Sequence, residues 1–222
     1  MSLTPPAPPP ANTFLRWTEQ ERLASLRIAM KDWRAGQDLW IFGYGSLIWR
    51  PEFAFAEQRA ASLKGYHRSL CLWSRINRGT PETPGLVFGL EQTGVCQGMV
   101  FKISAQSVEQ TFDAVWKREM GTGAYLPSWL NCETSQGIVK AMAFVIDRNG
   151  PAYVKQPPED DLVEIICRAH GTYGSCFDYV TQTSESLKAA GICDEQLAAL
   201  TERLRQRLQH SDQLQQLQSR QH

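Results

Sequence analysis

A strand that runs into a turn with two glycines and a hydroxyl is the first part of this chain that could carry chemistry. It extends from Trp40 to Trp49 and reads WIFGYGSLIW. Glycine has no Cβ, so it permits positive φ angles and lets main-chain N–H groups approach a ligand closely. Successive N–H groups that point into one concavity bind anionic groups such as carboxylate or phosphate. Turns of this kind also occur for structural reasons alone, and the pattern leaves both interpretations open.

The hydroxyl of Ser46 offers a further interpretation of this turn, as a nucleophile. The nucleophilic serine of a hydrolase elbow stands between two glycines, as Gly-x-Ser-x-Gly, and works with a histidine and an acidic partner. The segment around Ser46 lacks the second glycine, and the sequence suggests no histidine or aspartate partner. We therefore expect Ser46 to contact a ligand rather than to form a covalent intermediate.

A carboxylate on the apolar face of a predicted helix is the second candidate for chemistry. Hydrophobic spacing predicts a helix over 104–118. Its buried stripe consists of Val108, Phe112 and Val115. Glu119 is the next member of that stripe, so burial and the negative end of the helix dipole would both raise its pKa. The ordinary alternative, which sequence geometry alone favours, is that Glu119 has left the helix and pairs in water with Lys117 or Arg118.

Size and composition limit the class of protein. With 222 residues, 42% of them hydrophobic and 21% charged, the chain can bury a core of ordinary globular size. Its 23 basic residues balance 23 acidic ones, so no field of one sign favours nucleic acid or anionic lipid. No apolar run is long enough to span a bilayer, and the proline-rich start is unlike a signal peptide. We expect a soluble, monomeric, cytoplasmic protein without nucleic-acid or membrane partners.

The cysteines favour reduced thiols over disulfides or a metal site. They are Cys71, Cys96, Cys132, Cys167, Cys176 and Cys193. Their number is even, but the chain is not a short, cysteine-dense secreted domain. Cys167, His170 and Cys176 lie close in sequence without the spacing of a common zinc site. We therefore expect buried free thiols and no metal.

The order of predicted elements indicates an α+β fold. Thr18 and Glu21 form a capping box that begins a helix ending at Gly36. Strands are predicted at 39–44, 63–74, 85–91, 97–103, 128–134 and 137–147. Beyond the helix at 104–118, further helices are predicted at 159–169, 175–189 and 195–209. A strand-rich middle with helices segregated to the ends and one insertion is typical of an α+β domain around a small sheet or barrel.

Three motifs occur in a characteristic order along the chain. They are Gly43-Tyr44-Gly45-Ser46-Leu47-Ile48-Trp49, then Arg78-Gly79-Thr80-Pro81 with Pro84-Gly85, then Arg118-Glu119 followed by Gly123-Ala124-Tyr125. In this order they resemble the ChaC family, the glutathione-specific γ-glutamylcyclotransferases, over residues 39–208. The resemblance implies a small mixed, partly closed β-barrel with flanking helices. It also implies one catalytic domain at 14–209, between a disordered proline-rich tail at 1–13 and a frayed polar tail at 210–222.

The resemblance also implies a lyase reaction on glutathione. The α-amine of the γ-glutamyl group attacks its own γ-carbonyl carbon and expels the cysteine nitrogen, which gives 5-oxoproline and Cys-Gly. No water is consumed, and neither a metal nor an organic cofactor is needed. In such a family the glycine loop holds the γ-glutamyl group, and the glutamate of the Arg-Glu motif is the general acid/base.

These roles map onto individual residues of this sequence. The implied catalytic residue is Glu119. The implied substrate-binding loop consists of Gly43, Tyr44, Gly45, Ser46, Leu47 and Ile48. Arg78 matches the family's Arg-Gly pair and would either reach a substrate carboxylate or brace a turn. Tyr125 would line the pocket.

A raised pKa of Glu119 suits this chemistry. The α-amine titrates near pH 8 and an exposed glutamate near 4.3, so direct proton transfer costs about 5 kcal/mol. Raising the pKa of the carboxyl to about 6–7 removes more than half of that cost. The same carboxyl, once protonated, can pass its proton to the leaving nitrogen.

Two alternatives remain open at this point. The chain could cyclise other γ-glutamyl amides or γ-glutamyl amino acids instead of glutathione. It could also be a non-enzymatic module that binds a γ-glutamyl ligand or regulates transport, given the family's association with cation transport. Turnover by the purified protein separates these alternatives from the leading interpretation.

Overall fold

The computed structural model describes residues 8, 10 and 16–219, and most of this part of the chain is helix or strand. The helices are α1 Glu19–Ala29, α2 Val108–Glu119, α3 Glu159–Arg168, α4 Cys176–Ala189 and α5 Glu195–Ser219. The strands are β1 Leu39–Gly43, β2 Glu57–Ser74, β3 Gly85–Ile103, β4 Tyr125–Thr134, β5 Gly137–Ile146, β6 His170–Gly171 and β7 Gly174–Ser175. Apart from residues 8 and 10, the tail predicted at 1–13 lies outside the described residues.

Strands β1 to β5 form a closed barrel in the order β1-β3-β2-β4-β5. Strand β5 returns to pair in parallel with β1, while every other neighbouring pair in the barrel is antiparallel. The α+β fold and the mixed barrel with flanking helices are therefore confirmed. The barrel is closed rather than partly open, and closure leaves no unpaired strand edge in it. None of the helices in the described part of the chain combines the length and the apolar character needed to cross a bilayer.

One long strand replaces two predicted ones. The polar residues between 91 and 97 suggest a turn, but β3 continues through them and pairs with β2 along its whole length. Thr93 and Gly94 have φ angles of 100° and 73°, and Gly65 on β2 has a φ of 85°. These left-handed residues form an irregularity in the ladder where the register shifts between Lys64 and Tyr66. A bulge bends a strand without ending it, and this is why the pattern was misleading.

The helix boundaries differ from the predictions at two ends. The capping box of Thr18 and Glu21 is confirmed, but α1 ends at Ala29 and not at Gly36. Helix α5 continues to Ser219, although the sequence predicts a frayed end from about residue 210. The chain after Gly191 contains no further glycine or proline up to its end, and Gln, Leu and Arg are good helix formers. The composition of the polar tail is therefore compatible with helix.

Helix α2 lies on the outside of the barrel and is fixed there by its apolar stripe. Val108, Phe112 and Val115 are buried as predicted, and Trp116 is buried with them. The indole Nε1 of Trp116 donates to the carbonyl of Arg22 at 3.1 Å, which ties α2 to α1. The stripe holds the last residue of α2, the glutamate at 119, at a fixed place against the barrel.

A buried ion pair joins the barrel to the C-terminal helix. The side chain of Arg68 on β2 is 4% exposed, and its Nη2 lies 2.7 Å from Oδ2 of Asp194. Asp194 also caps α5, because its Oδ1 accepts the main-chain N–H of Leu197 at 3.0 Å. The Nη1 of Arg68 donates to the carbonyl of Tyr44 at 2.8 Å. One guanidinium thus holds the turn after β1 and the start of α5 in place.

Replacing Asp194 by Asn should test this connection. Asparagine still caps a helix, but it leaves the buried guanidinium without a counter-charge. Removing one partner of a buried ion pair costs about 3 kcal/mol, so we expect a loss of about that size in the free energy of unfolding measured in urea. The matched control is Asp160→Asn, which removes the carboxylate of an exposed pair with Arg203. Equal effects of the two variants would contradict the structural role of the pair.

Candidate active site

The turn after β1 is compact and explains why its glycines are needed. The N–H of Ile48 donates to the carbonyl of Gly45 at 3.0 Å, and the N–H of Arg50 donates to that of Ser46 at 2.8 Å. Neither Gly43 nor Gly45 has a positive φ, so conformational freedom is not the reason. A Cβ on Gly45 would stand 2.9 Å from the hydroxyl oxygen of Tyr179. Close approach between the loop and α4 therefore requires glycine.

The same turn presents main-chain donors that the fold leaves open. Gly45, Ser46 and Leu47 line a small recess of about 30 Å³ at the end of β1. Within the part of the chain that the structure describes, their N–H groups have no hydrogen-bond acceptor. Adjacent donors beside a concavity can bind a carboxylate or a developing oxyanion.

Glu119 is the last residue of α2 and lies in the wall of this recess. Its side chain is 15% exposed, and Oε1 is 3.1 Å from Nε of Arg118. Burial raises the pKa of the Glu119 carboxyl, the guanidinium of Arg118 opposes this rise, and the charge of Glu52 adds to it. Glu119 therefore pairs with Arg118, as in the ordinary interpretation, but it does so largely shielded from water.

Arg118 connects three separate parts of the site. Its Nη2 donates to the hydroxyl of Ser46 at 2.9 Å. Its Nη1 lies 3.1 Å from Oε2 of Glu52 and also donates to the carbonyls of Arg50 and Pro51. Glu52 adopts a φ of 56°, the left-handed region that non-glycine residues rarely occupy. The guanidinium thus holds the glycine turn, the bend around residue 52 and the catalytic candidate together.

Two buried tyrosines, Tyr44 and Tyr179, and the half-buried Tyr125 lie around the carboxylate. The hydroxyl of Tyr44 donates to the carbonyl of Phe144 at 2.6 Å, and the hydroxyl of Tyr179 accepts the N–H of Phe88 at 3.0 Å. Burial raises the pKa of Tyr44, of Tyr125 and of Tyr179, and the negative charge of Glu119 raises each further. All three phenols therefore stay protonated at neutral pH, as polar but uncharged groups beside Glu119.

A larger cleft of about 460 Å³ opens next to the recess. The residues that line both spaces are Ser46, Glu119, Tyr125 and Tyr179. The wall of the cleft also carries Arg78, whose guanidinium carbon lies 5.5 Å from the rings of Trp49 and Tyr179. The two spaces form one site with a narrow end at the glycine turn and a wide, basic end.

The N-terminal segment closes the loop that follows Glu119. The N–H of Trp17 donates to the carbonyl of Gly121 at 3.0 Å. The indole of Trp17 lies against Gly123, which has a φ of 65° and leaves no room for a Cβ. Trp17 therefore covers the chain from Gly121 to Gly123. This contact helps to fix the direction in which the preceding Glu119 points into the site.

Most of the residues predicted for the site come together in it. Glu119, Ser46 and Tyr125 line both spaces, Tyr44, Gly45 and Leu47 line the recess, and Arg78 lines the cleft. Gly43 and Ile48 lie behind the turn and line neither space. Glu52 and Tyr179 were not predicted as site residues. No sequence pattern marks Glu52, and Tyr179 enters the site through the contact of α4 with Gly45, which is distant in sequence.

Two other chemical hypotheses find no support in the geometry. The hydroxyl of Ser46 contacts the guanidinium of Arg118, which is always charged and cannot act as a base. No group of three His, Cys, Asp or Glu residues among the described ones could hold a metal ion. The described structure therefore does not bring Cys167, His170 and Cys176 together as such a group.

The thiols themselves are free. Those of Cys71, Cys96, Cys132 and Cys176 are buried, while Cys167 is half-buried and Cys193 is exposed. Burial raises the pKa of Cys71, Cys132 and Cys176 to about 12 and that of Cys96 to about 11. These four thiols are inert packing groups at neutral pH.

The sequence is similar to known proteins, and this similarity shows the family to which the chain belongs. The family model described as ChaC-like protein matches residues 39–207. The chain belongs to the ChaC family. It is 33% identical to the glutathione-specific gamma-glutamylcyclotransferase of Escherichia coli (strain K12), over 82% of this chain and 80% of that protein. It is 29% identical to glutathione-specific gamma-glutamylcyclotransferase 1 of Homo sapiens, over 75% of this chain and 78% of that protein.

A solved structure confirms the fold of this ChaC chain. The crystal structure of a gamma-glutamyl cyclotransferase specific to glutathione from yeast is similar, with a TM-score of 0.70. The similarity covers 76% of this chain and 96% of that chain, at 20% sequence identity. At this identity the comparison bears on the fold alone, and the barrel is of the γ-glutamylcyclotransferase type that the sequence predicts.

A pair of substitutions tests the close contact between the turn and α4. Gly45→Ala places a Cβ against the hydroxyl of Tyr179 and should cost about 2 kcal/mol of stability by overpacking. Tyr179→Phe removes that oxygen, and the next neighbour of the new Cβ is then Cβ of Phe88 at 3.7 Å, an ordinary contact. In urea denaturation the double variant should be more stable than the sum of the single effects implies. Strict additivity would mean that the contact does not limit residue 45.

Proposed function

We propose that this chain cleaves glutathione by cyclising its γ-glutamyl group, with release of 5-oxoproline and Cys-Gly. The observation that carries the proposal is the position of Glu119, a carboxyl with a raised pKa at the junction of the amide-lined recess and the basic cleft. The names of the related proteins agree with this reaction. The chain would act in the cytoplasm as a monomer, without a metal or an organic cofactor.

The recess would hold the γ-glutamyl end of the substrate. The open N–H groups of Gly45, Ser46 and Leu47 are suited to an oxygen anion, either the α-carboxylate or the oxyanion that forms at the γ-carbonyl. The flanking residues Gly43, Tyr44 and Ile48 would hold this turn in its shape. The task of the turn is orientation, because the reaction is intramolecular and needs the amine and the carbonyl carbon at about 3–3.5 Å.

Glu119 would transfer the proton in both directions. The carboxylate first takes a proton from the substrate ammonium, and the free amine then forms the C–N bond of the five-membered ring. The electron pair of the carbonyl π bond moves to oxygen and returns as the bond to the cysteine nitrogen breaks. The protonated Glu119 gives its proton to that nitrogen, and the second proton, which the ring nitrogen loses as it becomes an amide, follows through the regenerated carboxylate. Cys-Gly therefore leaves with a protonated amine. The carboxylate is regenerated, and no other reactant enters.

The shielded position of Glu119 matters for both halves of this cycle. A carboxylate in water is too weak a base for an ammonium, and burial makes it a better one. Arg118 opposes the rise of the pKa and so favours the deprotonated form of Glu119 before the attack. Tyr125 lies beside the carboxyl as a neutral phenol and would contact the substrate there.

Glu119→Gln is the direct test of the proposed reaction. The amide matches the carboxylate in shape but cannot accept the ammonium proton, so release of 5-oxoproline from glutathione should fall by at least about 100-fold. Binding of glutathione, followed by calorimetry, should persist. The control is Glu109→Gln, an exposed glutamate in the first turn of the same helix, which should leave turnover unchanged.

The same assay distinguishes the alternatives. Wild-type protein that binds glutathione but forms no 5-oxoproline at high enzyme concentration would identify a binding module. A preference for γ-glutamyl-alanine over glutathione would identify a cyclotransferase for other γ-glutamyl compounds. Either outcome would overturn the proposed reaction.

The pH dependence of kcat/KM should report the environment of Glu119. The acid must be deprotonated to accept the ammonium proton, so activity should fall as pH drops through its pKa, at a midpoint above about 4.3, the value of an exposed glutamate. Arg118 lowers the pKa and Glu52 raises it. Arg118→Gln should therefore move this acidic limb to higher pH, and Glu52→Gln should move it to lower pH. Identical limbs in all three proteins would assign the titration to another group.

A further inference from the structure

Arg78 is a buried cation in the cleft with unused hydrogen-bond donors. Its residue exposure is 6%. Among the hydrogen bonds of the described residues, its side chain makes one, from Nη1 to the carbonyl of Ser175 at 3.3 Å. It forms no ion pair with a described carboxylate. A guanidinium has five N–H donors in a planar fork, so most of them remain available on the side that faces the cleft.

Three other cations of the cleft are already committed to protein partners. Arg50 pairs with Glu52 through Nε and Nη2, and Arg118 binds Ser46, Glu52 and Glu119. Lys117 pairs with Asp113 at 2.8 Å. Arg78 differs from these three because the faces of two aromatic rings hold it in place and leave its fork open. An oriented guanidinium of this kind is suited to bidentate binding of a carboxylate.

The desolvation of Arg78 also favours an anion. Burial lowers the pKa of its guanidinium, because the charged form loses contact with water. The carboxylate of Asp178 offsets part of that cost, while the nearby charge of Arg50 adds to it. A carboxylate that entered the cleft would offset the remainder. Binding of an anionic group at the open N–H donors would therefore compensate for the cost of burying the guanidinium.

The position of Arg78 indicates which carboxylate this would be. Arg78 lines the wide cleft and not the recess, so a substrate whose γ-glutamyl group lies in the recess would meet it with the part that extends into the cleft. A leaving group of two residues extends about 7 Å from the scissile amide, and a single residue extends about half as far. The C-terminal carboxylate of a dipeptide leaving group can therefore reach deeper into the basic end than that of one amino acid.

We propose that Arg78 binds the C-terminal carboxylate of the leaving peptide and thereby selects γ-glutamyl substrates that end in a free carboxylate two residues beyond the scissile amide. This inference rests on the proposed function, because it assumes the γ-glutamyl group in the recess. It makes Arg78 a specificity-determining residue, and it restricts the substrate class to γ-glutamyl tripeptides of the length of glutathione.

The test compares glutathione with its C-terminal amide, which differs only in the charge at that end. Binding is measured by calorimetry in the Glu119→Gln protein, which holds the peptide without turnover. We expect the amide to bind about 10- to 100-fold more weakly than glutathione, the range for losing a hydrogen bond to a charged group. In Glu119→Gln/Arg78→Gln the ratio of the two dissociation constants should fall to about one.

The two dissociation constants are measured on the same variant. A smaller fraction of folded protein therefore affects both equally and does not change their ratio. Arg78→Lys keeps the charge without the fork and should give an intermediate ratio, and it replaces the Gln variant if that one does not fold. The matched control is Arg59→Gln. Arg59 also lies over an aromatic ring, that of Trp40 at 4.7 Å, but it does not line the cleft, so the ratio should stay as in the parent protein.

The outcomes separate this inference from the proposed function. Equal binding of the two peptides by the Glu119→Gln protein, or a preference that survives in the Arg78 variants, would overturn the role of Arg78. Wild-type protein that shows the preference but releases no 5-oxoproline would overturn the proposed reaction and support the carboxylate site. If neither peptide binds, both proposals are wrong.

Discussion

The pairing of one guanidinium with a shielded carboxylate is the interaction on which the site depends. Arg118 bonds to Glu119 and, through its other nitrogens, to the glycine turn and to the bend at Glu52. Burial disfavours the charged form of a carboxyl, and a carboxylate in open water is a weak base. The guanidinium of Arg118 opposes the effect of burial on the pKa of Glu119, and it also ties the carboxyl to the glycine turn.

The barrel supplies the rigidity that this arrangement needs. Strand β1 ends at the turn, and α2 ends at Glu119, so two element ends face each other across the recess. Closure of the barrel through the parallel pairing of β1 with β5 fixes the first end, and the buried stripe of α2 fixes the second. The ion pair of Arg68 with Asp194 adds the C-terminal helix to the same frame, because that guanidinium also binds the carbonyl of Tyr44.

Local patterns in the sequence predicted much of this, and long-range contacts account for the rest. The spacing along α2 places Glu119 on the buried stripe, but it cannot show what covers the carboxyl. Apart from the adjacent Arg118, groups near the carboxyl are distant in sequence: Ser46, for example, accepts a hydrogen bond from Arg118 across 72 residues. Glu52 acquires its role only from a backbone conformation that its residue type does not favour. The break predicted in β3 was wrong because residues with left-handed φ angles form a bulge as readily as a turn.

The burial of the thiols has a consequence for a protein whose proposed substrate is itself a thiol. Exchange between thiols and disulfides requires a thiolate that can reach its target. At neutral pH, Cys71, Cys96, Cys132 and Cys176 are almost entirely protonated and enclosed by the core. The folded scaffold is thereby insulated at these positions from mixed-disulfide formation, and oxidation of the surrounding glutathione pool changes the supply of substrate without modifying the interior of the catalyst.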